Sequence, residues 1–273
     1  MNVWQAFIGL IAGALTTLAN LIAGLGIPYS FGFAIILFTL IVKLITLPLT
    51  FQQLRASRAM QQLQPEIQEL QKKYKGDREK LSQAQMEKYK EAGVNPLGGC
   101  LPTLVQLPVW FALYQALYNL ASQGVLNQGF LWIPSLAEPR DLTWLWPLPP
   151  SVGWATAAAF LVLPILTVVS QIVVQKMMTP LNADPQQSSM NQMMMFMPIM
   201  FGFFALQVPQ GLALYWVTSN IFSLIQQYFV TGWGGLKRAS ATTEAPAKPA
   251  EVSVGAATDT KRTKKDGKRK RKS

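Results

Sequence analysis

The chain has 273 residues, of which half are apolar and 14% charged, and its mean hydropathy is +0.22. That balance points to a bilayer-embedded protein rather than a water-soluble globule. It contains no histidine and a single cysteine, Cys100. A His-based triad, a Cys-His pair, a His-ligated metal, an internal disulfide and a CxxC site are therefore excluded.

In chain order, residues 1–30 come first. They are apolar but broken by Gly9, Gly13, Gly24 and Gly26, with Thr16, Thr17 and Asn20 as a polar patch. A cleaved signal needs a basic leading segment, and the first cation is Lys43. A sixth span stays open beside the preferred reading, a helix lying in the outer interface. A bilayer core roughly 30 Å thick takes about 20 apolar residues per helix. Five runs approach that length: 31–51, 97–120, 153–175, 193–208 and 212–230. The last two are joined only by Pro209-Gln210-Gly211, so they form a tight helical pair.

The expected fold is an all-α polytopic membrane protein with a five-helix transmembrane core. Residues 52–97 hold nine Lys/Arg against six Asp/Glu, and residues 232–273 hold twelve against four. The positive-inside rule therefore places the segment 52–96, the short loop 176–192 and the tail in the cytoplasm. The N-terminus and the Trp- and Pro-rich loop 121–152, whose one basic residue is Arg140, then lie outside. The expected location is the cell (plasma) membrane.

Within 52–96, Leu63, Ile67, Leu70 and Tyr74 recur at helical spacing until Gly76-Asp77 breaks the pattern. A second helical stretch follows, which predicts a cytoplasmic helical hairpin. It is either a plain connector or a mobile contact for lipid or a partner. The tail 232–273 has a composition that resists folding and ends in Lys264, Lys265, Lys268, Arg269, Lys270, Arg271 and Lys272. Anionic headgroups and ribosomal RNA both suit that cluster.

Lys43 is the one ionisable residue well inside a predicted span. A buried cation there costs roughly 2.5–3.5 kcal/mol on insertion scales, so its default reading is a functional site, with snorkelling toward the inner surface as the competitor. Polar residues share helical faces on four runs. They are Thr39, Thr46 and Thr50 beside Lys43; Gln106 and Tyr114; Thr167, Gln171 and Gln175; and Trp216, Ser219 or Asn220, Ser223 and Gln227. Four such stripes around a cation predict a wetted groove. Without an intramembrane carboxylate, both a proton-coupled transporter and intramembrane proteolysis are disfavoured. The Met-rich stretch from Met190 to Met200 is either ordinary packing or an adaptable sliding surface.

Several ordered blocks resemble one known family, the YidC/Oxa/Alb membrane protein insertases. They are IILFTLIVKLITLPLT at 35–50, AGVNPLGGCLPTLVQLPVWFALYQAL at 92–117, GFLWIPSL at 129–136, LPILTVVSQIVVQKM at 163–177, and FMPIMF followed by PQGLALYWVTSNIFSLIQQ up to Gln227. The resemblance is to a bacterial member without the large periplasmic domain. It implies five core spans around a hydrophilic groove open to cytoplasm and lipid, with Lys43 in the place of the groove cation and Gln175 and Trp216 at groove positions. Many bacterial members carry arginine where Lys43 stands, so the planar fork is lost while the charge is kept.

The implied function is non-enzymatic: nascent membrane proteins are received in the groove and released into the lipid bilayer along the third and fifth spans. The Sec translocon and the ribosome are expected partners, the latter through the tail, and no cofactor or metal is required. A small uncoupled channel or transporter is the first alternative, tested by solute flux without insertion. A ribosome-tethering scaffold is the second, tested by deleting the tail.

Overall fold

The computed structural model describes residues 2–93, 101–146, 151–178 and 188–233. Among these residues it places eight α-helices and a single isolated bridge between Phe130 and Ile133. The helices are α1 Val3–Gly24, α2 Ser30–Ile45, α3 Leu47–Lys73, α4 Arg78–Glu91, α5 Leu101–Ser122, α6 Trp154–Met178, α7 Ser188–Ala205 and α8 Gln210–Thr231. Cys100 and the basic tail cluster 264–272 lie outside the described residues.

The run expected as one helix over 31–51 breaks at Thr46, where α2 and α3 meet at 65°. Pro48 explains the break. It has no N–H to give the carbonyl four residues back, and its ring collides with that carbonyl. The polar α3 then leads away from the bundle. Gly76, at φ +101, turns the chain, and the Asp77 carboxylate accepts from the Lys80 amide at 3.1 Å to start α4. Lys88 of α4 pairs with Glu66 of α3 at 2.9 Å, so the two helices form a hairpin. Elsewhere the helices begin or end within a few residues of the apolar runs, the largest shift being α7, which starts at Ser188 rather than 193.

Length and apolarity alone qualify α1 and α6 as membrane-crossing helices, with the bent pair α2 and α3 as a third. Phe196–Ala205 of α7 is a shorter apolar helix. The sequence reading counts five because it admits helices with a polar face. α5 and α8 bring Gln106, Gln115 and Asn119, and Ser219, Asn220, Ser223, Gln226 and Gln227, which dilute their apolarity.

The bundle packs α8 against α2 and α6, with α6 on α7 and α1 on α2 and α5. α1 turns the stripe Ile8, Ile11, Leu15, Ala19 and Ile22 into the core. At one end, residues 123–146 fold over the helix termini. The Phe130 ring occupies the space a side chain at Gly32 would need, and the Gly211 amide donates to Leu136 O at 3.0 Å. Arg140 Nη2 donates to Ala121 O at 3.0 Å, and Trp144 Nε1 to Leu206 O at 3.1 Å, closing the last turns of α5 and α7.

A second proline shapes α6. Pro164 cannot donate to the Phe160 carbonyl four residues back, and the buried Gln210 side chain supplies the missing donor from α8 at 3.1 Å.

Candidate functional site

Opposite the loop end lies the end where α3 meets the bundle. There Arg58 Nη1 donates to Val230 O at 2.9 Å and Gln61 Nε2 donates to Met178 O, so α3 closes the last turns of α8 and α6. Just inside this hairpin end, Lys43 of α2 is half-buried and its ammonium donates to Ser223 Oγ of α8 at 3.0 Å. The Ser223 hydroxyl in turn donates to Ser219 O at 2.9 Å. The hydroxyl uses one of the three ammonium donors. Among the described residues the ion pairs are Lys80–Asp77, Lys88–Glu66, Lys88–Glu91 and Arg140–Glu138, all in the hairpin or the loop, and none involves Lys43.

The polar seam continues across the bundle. Asn220 Nδ2 donates to Ser170 Oγ of α6 at 3.0 Å, and Ser170 donates on to Thr167 O at 3.1 Å. Gln106 Nε2 of α5 donates to the buried Tyr215 hydroxyl of α8 at 2.9 Å. α8 thus reaches α2 through Ser223, α5 through Tyr215, and α6 through Asn220 and, at the loop end, Gln210. Ser219, Asn220 and Ser223 fall along one helical side, and Tyr215 lies on a neighbouring side that faces α5.

Not every residue read from the sequence lines this seam. Thr39 is fully buried with its hydroxyl on Ile35 O at 2.7 Å, and Thr167 is likewise turned onto Leu163 O, so neither presents a polar surface. Thr46 bonds back to Val42 O at the bend. Gln171 and Gln175 are half-buried on α6 below Ser170.

Trp216 is 8% exposed and belongs to an aromatic cluster. It stacks on Trp110 at 5.9 Å and meets Phe201 edge-on at 5.7 Å, tying α8 to α5 and α7. It is a wall rather than a polar contact. The sequence stripes omit Ser170 and Tyr215, which the structure brings into the seam. Each had a signal, because Ser170 is three residues from Thr167 and Tyr215 is four before Ser219.

The apolar faces are also placed. On α7, Phe196, Met197, Met200 and Phe203 are exposed, as are Ile165 and Val169 on α6. The first two turns of α8, Leu212 to Val217, are buried. In its hairpin-end half Ile221, Ile225 and Phe229 are exposed, so α8 presents an outward apolar face there.

Comparison with known proteins fits this helical arrangement. Residues 23–234 match the family described as 60Kd inner membrane protein. The inner membrane protein PPF-1 of pea chloroplasts (Pisum sativum) is 46% identical over 238 residues, covering 82% of this chain and 54% of that protein. The membrane protein insertase YidC of Geobacter sulfurreducens is 42% identical over 202 residues, covering 74% of this chain and 34% of that protein. The chain thus spans about half the length of the first and a third of the second. A solved structure of an active YidC insertase with its first transmembrane domain resolved superposes with a TM-score of 0.59 at 28% identity, covering 84% of this chain and 47% of that one. The chain belongs to the YidC/Oxa/Alb family of membrane protein insertases.

Proposed function

We propose that this chain inserts membrane proteins without catalysing a covalent reaction, receiving client segments in a hydrated groove at the hairpin end. The observation that carries the reading is the Lys43 ammonium resting on Ser223 Oγ at 3.0 Å, with no ion-pair partner among the described residues. Such a cation holds a water-lined position open for negative charge brought by something else. An acidic or polar client segment displaces the weak hydroxyl contact. The client's apolar helix meanwhile moves along the exposed Phe196, Met200 and Phe203 of α7 into lipid. Met side chains suit many partners because they are flexible and polarizable.

In this reading the hairpin end faces the cytoplasm, the N-terminus and the loop end face outward, and the chain acts with or without the Sec translocon. Moving one negative charge outward across an inside-negative potential adds roughly 2.3 kcal/mol per 100 mV. We read α1 as an outer interfacial helix. Trp4 Nε1 bonds Gln115 at 3.2 Å, two residues from Leu117, whose side chain lies near Gly211 at the loop end. The tail cluster 264–272 then contacts the ribosome or anionic lipid.

The test replaces Lys43 with Ala and with Glu in a strain depleted of its own insertase. A charge-assisted hydrogen bond worth about 1.5–3 kcal/mol predicts a loss of roughly ten-fold or more with acidic clients, larger for Glu than for Ala. Full activity of both variants with those clients would sink the charge role.

A further inference from the structure

The polar side of α8 does not stop at the residue that holds Lys43. Gln226 follows Ser223 by three residues and Ser219 by seven, so the three share a face and Gln226 lies one turn nearer the hairpin end. Gln226 is 5% exposed, and both its Nε2 and its Oε1 are buried without a hydrogen-bond partner. The other buried orphan atoms among the described residues belong to side chains of which at most one polar atom is left over. Gln210, for example, already donates to Phe160 O. In Gln226 the whole amide is unused.

A leucine of similar volume would fill this place without leaving two donors and an acceptor unmade. Packing therefore does not account for the residue type. An amide side chain is, however, the chemical match of a peptide group. It donates to a carbonyl and accepts from an N–H, whatever side chains the partner carries. Any client of a membrane insertase presents such groups while its segment is extended and not yet helical.

α3 packs on α8, and the bonds that tie it to the ends of α8 and α6 come from the exposed Arg58 and the half-buried Gln61. Water replaces such bonds at small net cost.

We propose that Gln226 is a main-chain contact for the client. When α3 lifts, its amide pairs with a peptide group of an extended segment entering one turn from the Lys43–Ser223 contact. The proposal rests on the insertase reading and divides the labour within it. Lys43 responds to client charge, whereas Gln226 responds to the backbone common to all clients.

The experiment replaces Gln226 with Leu, and with Met as a second apolar variant, in the full chain. It measures thermal midpoint and reconstituted insertion of one acidic and one neutral client, with Lys43→Ala in parallel. The expected result is a midpoint raised by about 3 °C or more, because the orphan amide is gone. Insertion of both clients falls roughly five-fold, the equivalent of one lost hydrogen bond. A raised midpoint with unchanged insertion would reduce Gln226 to a packing flaw and overturn the proposal. A midpoint lowered in both variants would also overturn it, by showing that the amide is already used in the folded state. Should Lys43→Ala leave both clients unaffected while the Gln226 variants lose them, the charge role fails and the main-chain contact stands. If no variant affects either client, both fail.

Discussion

At the loop end the helix termini are closed from within the fold. The carbonyls of Leu136 and Glu138 take the first amides of α8, while Arg140 and Trp144 close α5 and α7. Phe130, Ile133, Leu136 and Ala137 are buried beneath them. At the hairpin end the same requirement falls to Arg58 and Gln61, side chains of a helix carrying only three buried residues, Leu54, Gln64 and Ile67. Both ends satisfy carbonyls, but among the described residues the loop end does so over a wide buried apolar segment, the hairpin end beneath a helix that buries only Leu54 and Ile67 as apolar residues. A terminus held by packing resists opening, whereas one held by exchangeable hydrogen bonds does not. In the function proposed above, the polar seam lies beside the end that opens, and the bundle has one mouth.

The sharpest way to break this contrast is Gly32→Leu. A side chain there runs into the Phe130 ring, itself buried and packed against Phe33 and Tyr29, so we expect a loss of roughly 3 kcal/mol or more and little folded protein. Recovery of a monodisperse, normally stable variant would show that the loop end is not rigid. Next in size is Gln210→Leu, which leaves the Phe160 carbonyl without its donor and costs about 1–3 kcal/mol. The same change made on Pro164→Ala, where the helix supplies its own N–H, should cost less by about 1 kcal/mol or more. Equal costs in the two backgrounds would refute the link between Pro164 and Gln210.

Much of this is legible in the sequence. Lys43 stands out because a lone charge in an apolar run has few bland explanations, and the α8 stripe because helical periodicity is local information. The hairpin turn follows from Gly76-Asp77. What stayed hidden depends on which helix lies opposite. A threonine in a stripe can face a groove or turn onto its own backbone, and Thr39 takes the second course. Trp216 reads as a groove residue until Trp110, Phe201 and Phe204 are brought around it. Pro48 is visible as a helix breaker, yet whether it stops, kinks or merely begins a helix is decided by where α3 finds its partners. The Gln210 contact joins residues 50 apart and has no signature in either segment.

A smaller effect tests the hairpin end directly. Arg58→Ala and Gln61→Ala each remove one exchangeable bond, worth about 1 kcal/mol net. Amide exchange of α3 should quicken by roughly five-fold in each, and more in the double variant, while the amides of α8 near Gly211 keep their protection. Equal acceleration at both ends would mean that the bundle opens as one unit and has no preferred mouth.

The smallest expected effect lies at the hairpin tip. Asp77 accepts from the Lys80 amide and pairs with its ammonium at 3.0 Å, and these contacts, the backbone bond foremost, hold its carboxyl below the ordinary aspartate range. A carboxylate whose folded value is depressed contributes fully above its unfolded value, near 3.9, and the contribution is lost as pH falls through the lower folded value. Lys88 works in the opposite window. Glu66 and Glu91 raise it, so its contribution holds below the ordinary lysine value and fades as pH climbs through the raised one. Both operate at neutral pH. Asp77→Asn should therefore leave the Lys80 amide nearly as protected as before, since the amide oxygen still caps the helix, whereas Asp77→Ala should lower that protection about five-fold. The Ala penalty should shrink as the medium is taken below about pH 4, where the carboxylate of the opened tip takes up a proton, and vanish as pH falls through the lower folded value. A penalty that does not change with acidification would assign the effect to helix propensity rather than to the cap. Confinement of the effect to α4, with α3 still seated on Val230 and Met178, would show that the tip and the mouth move independently.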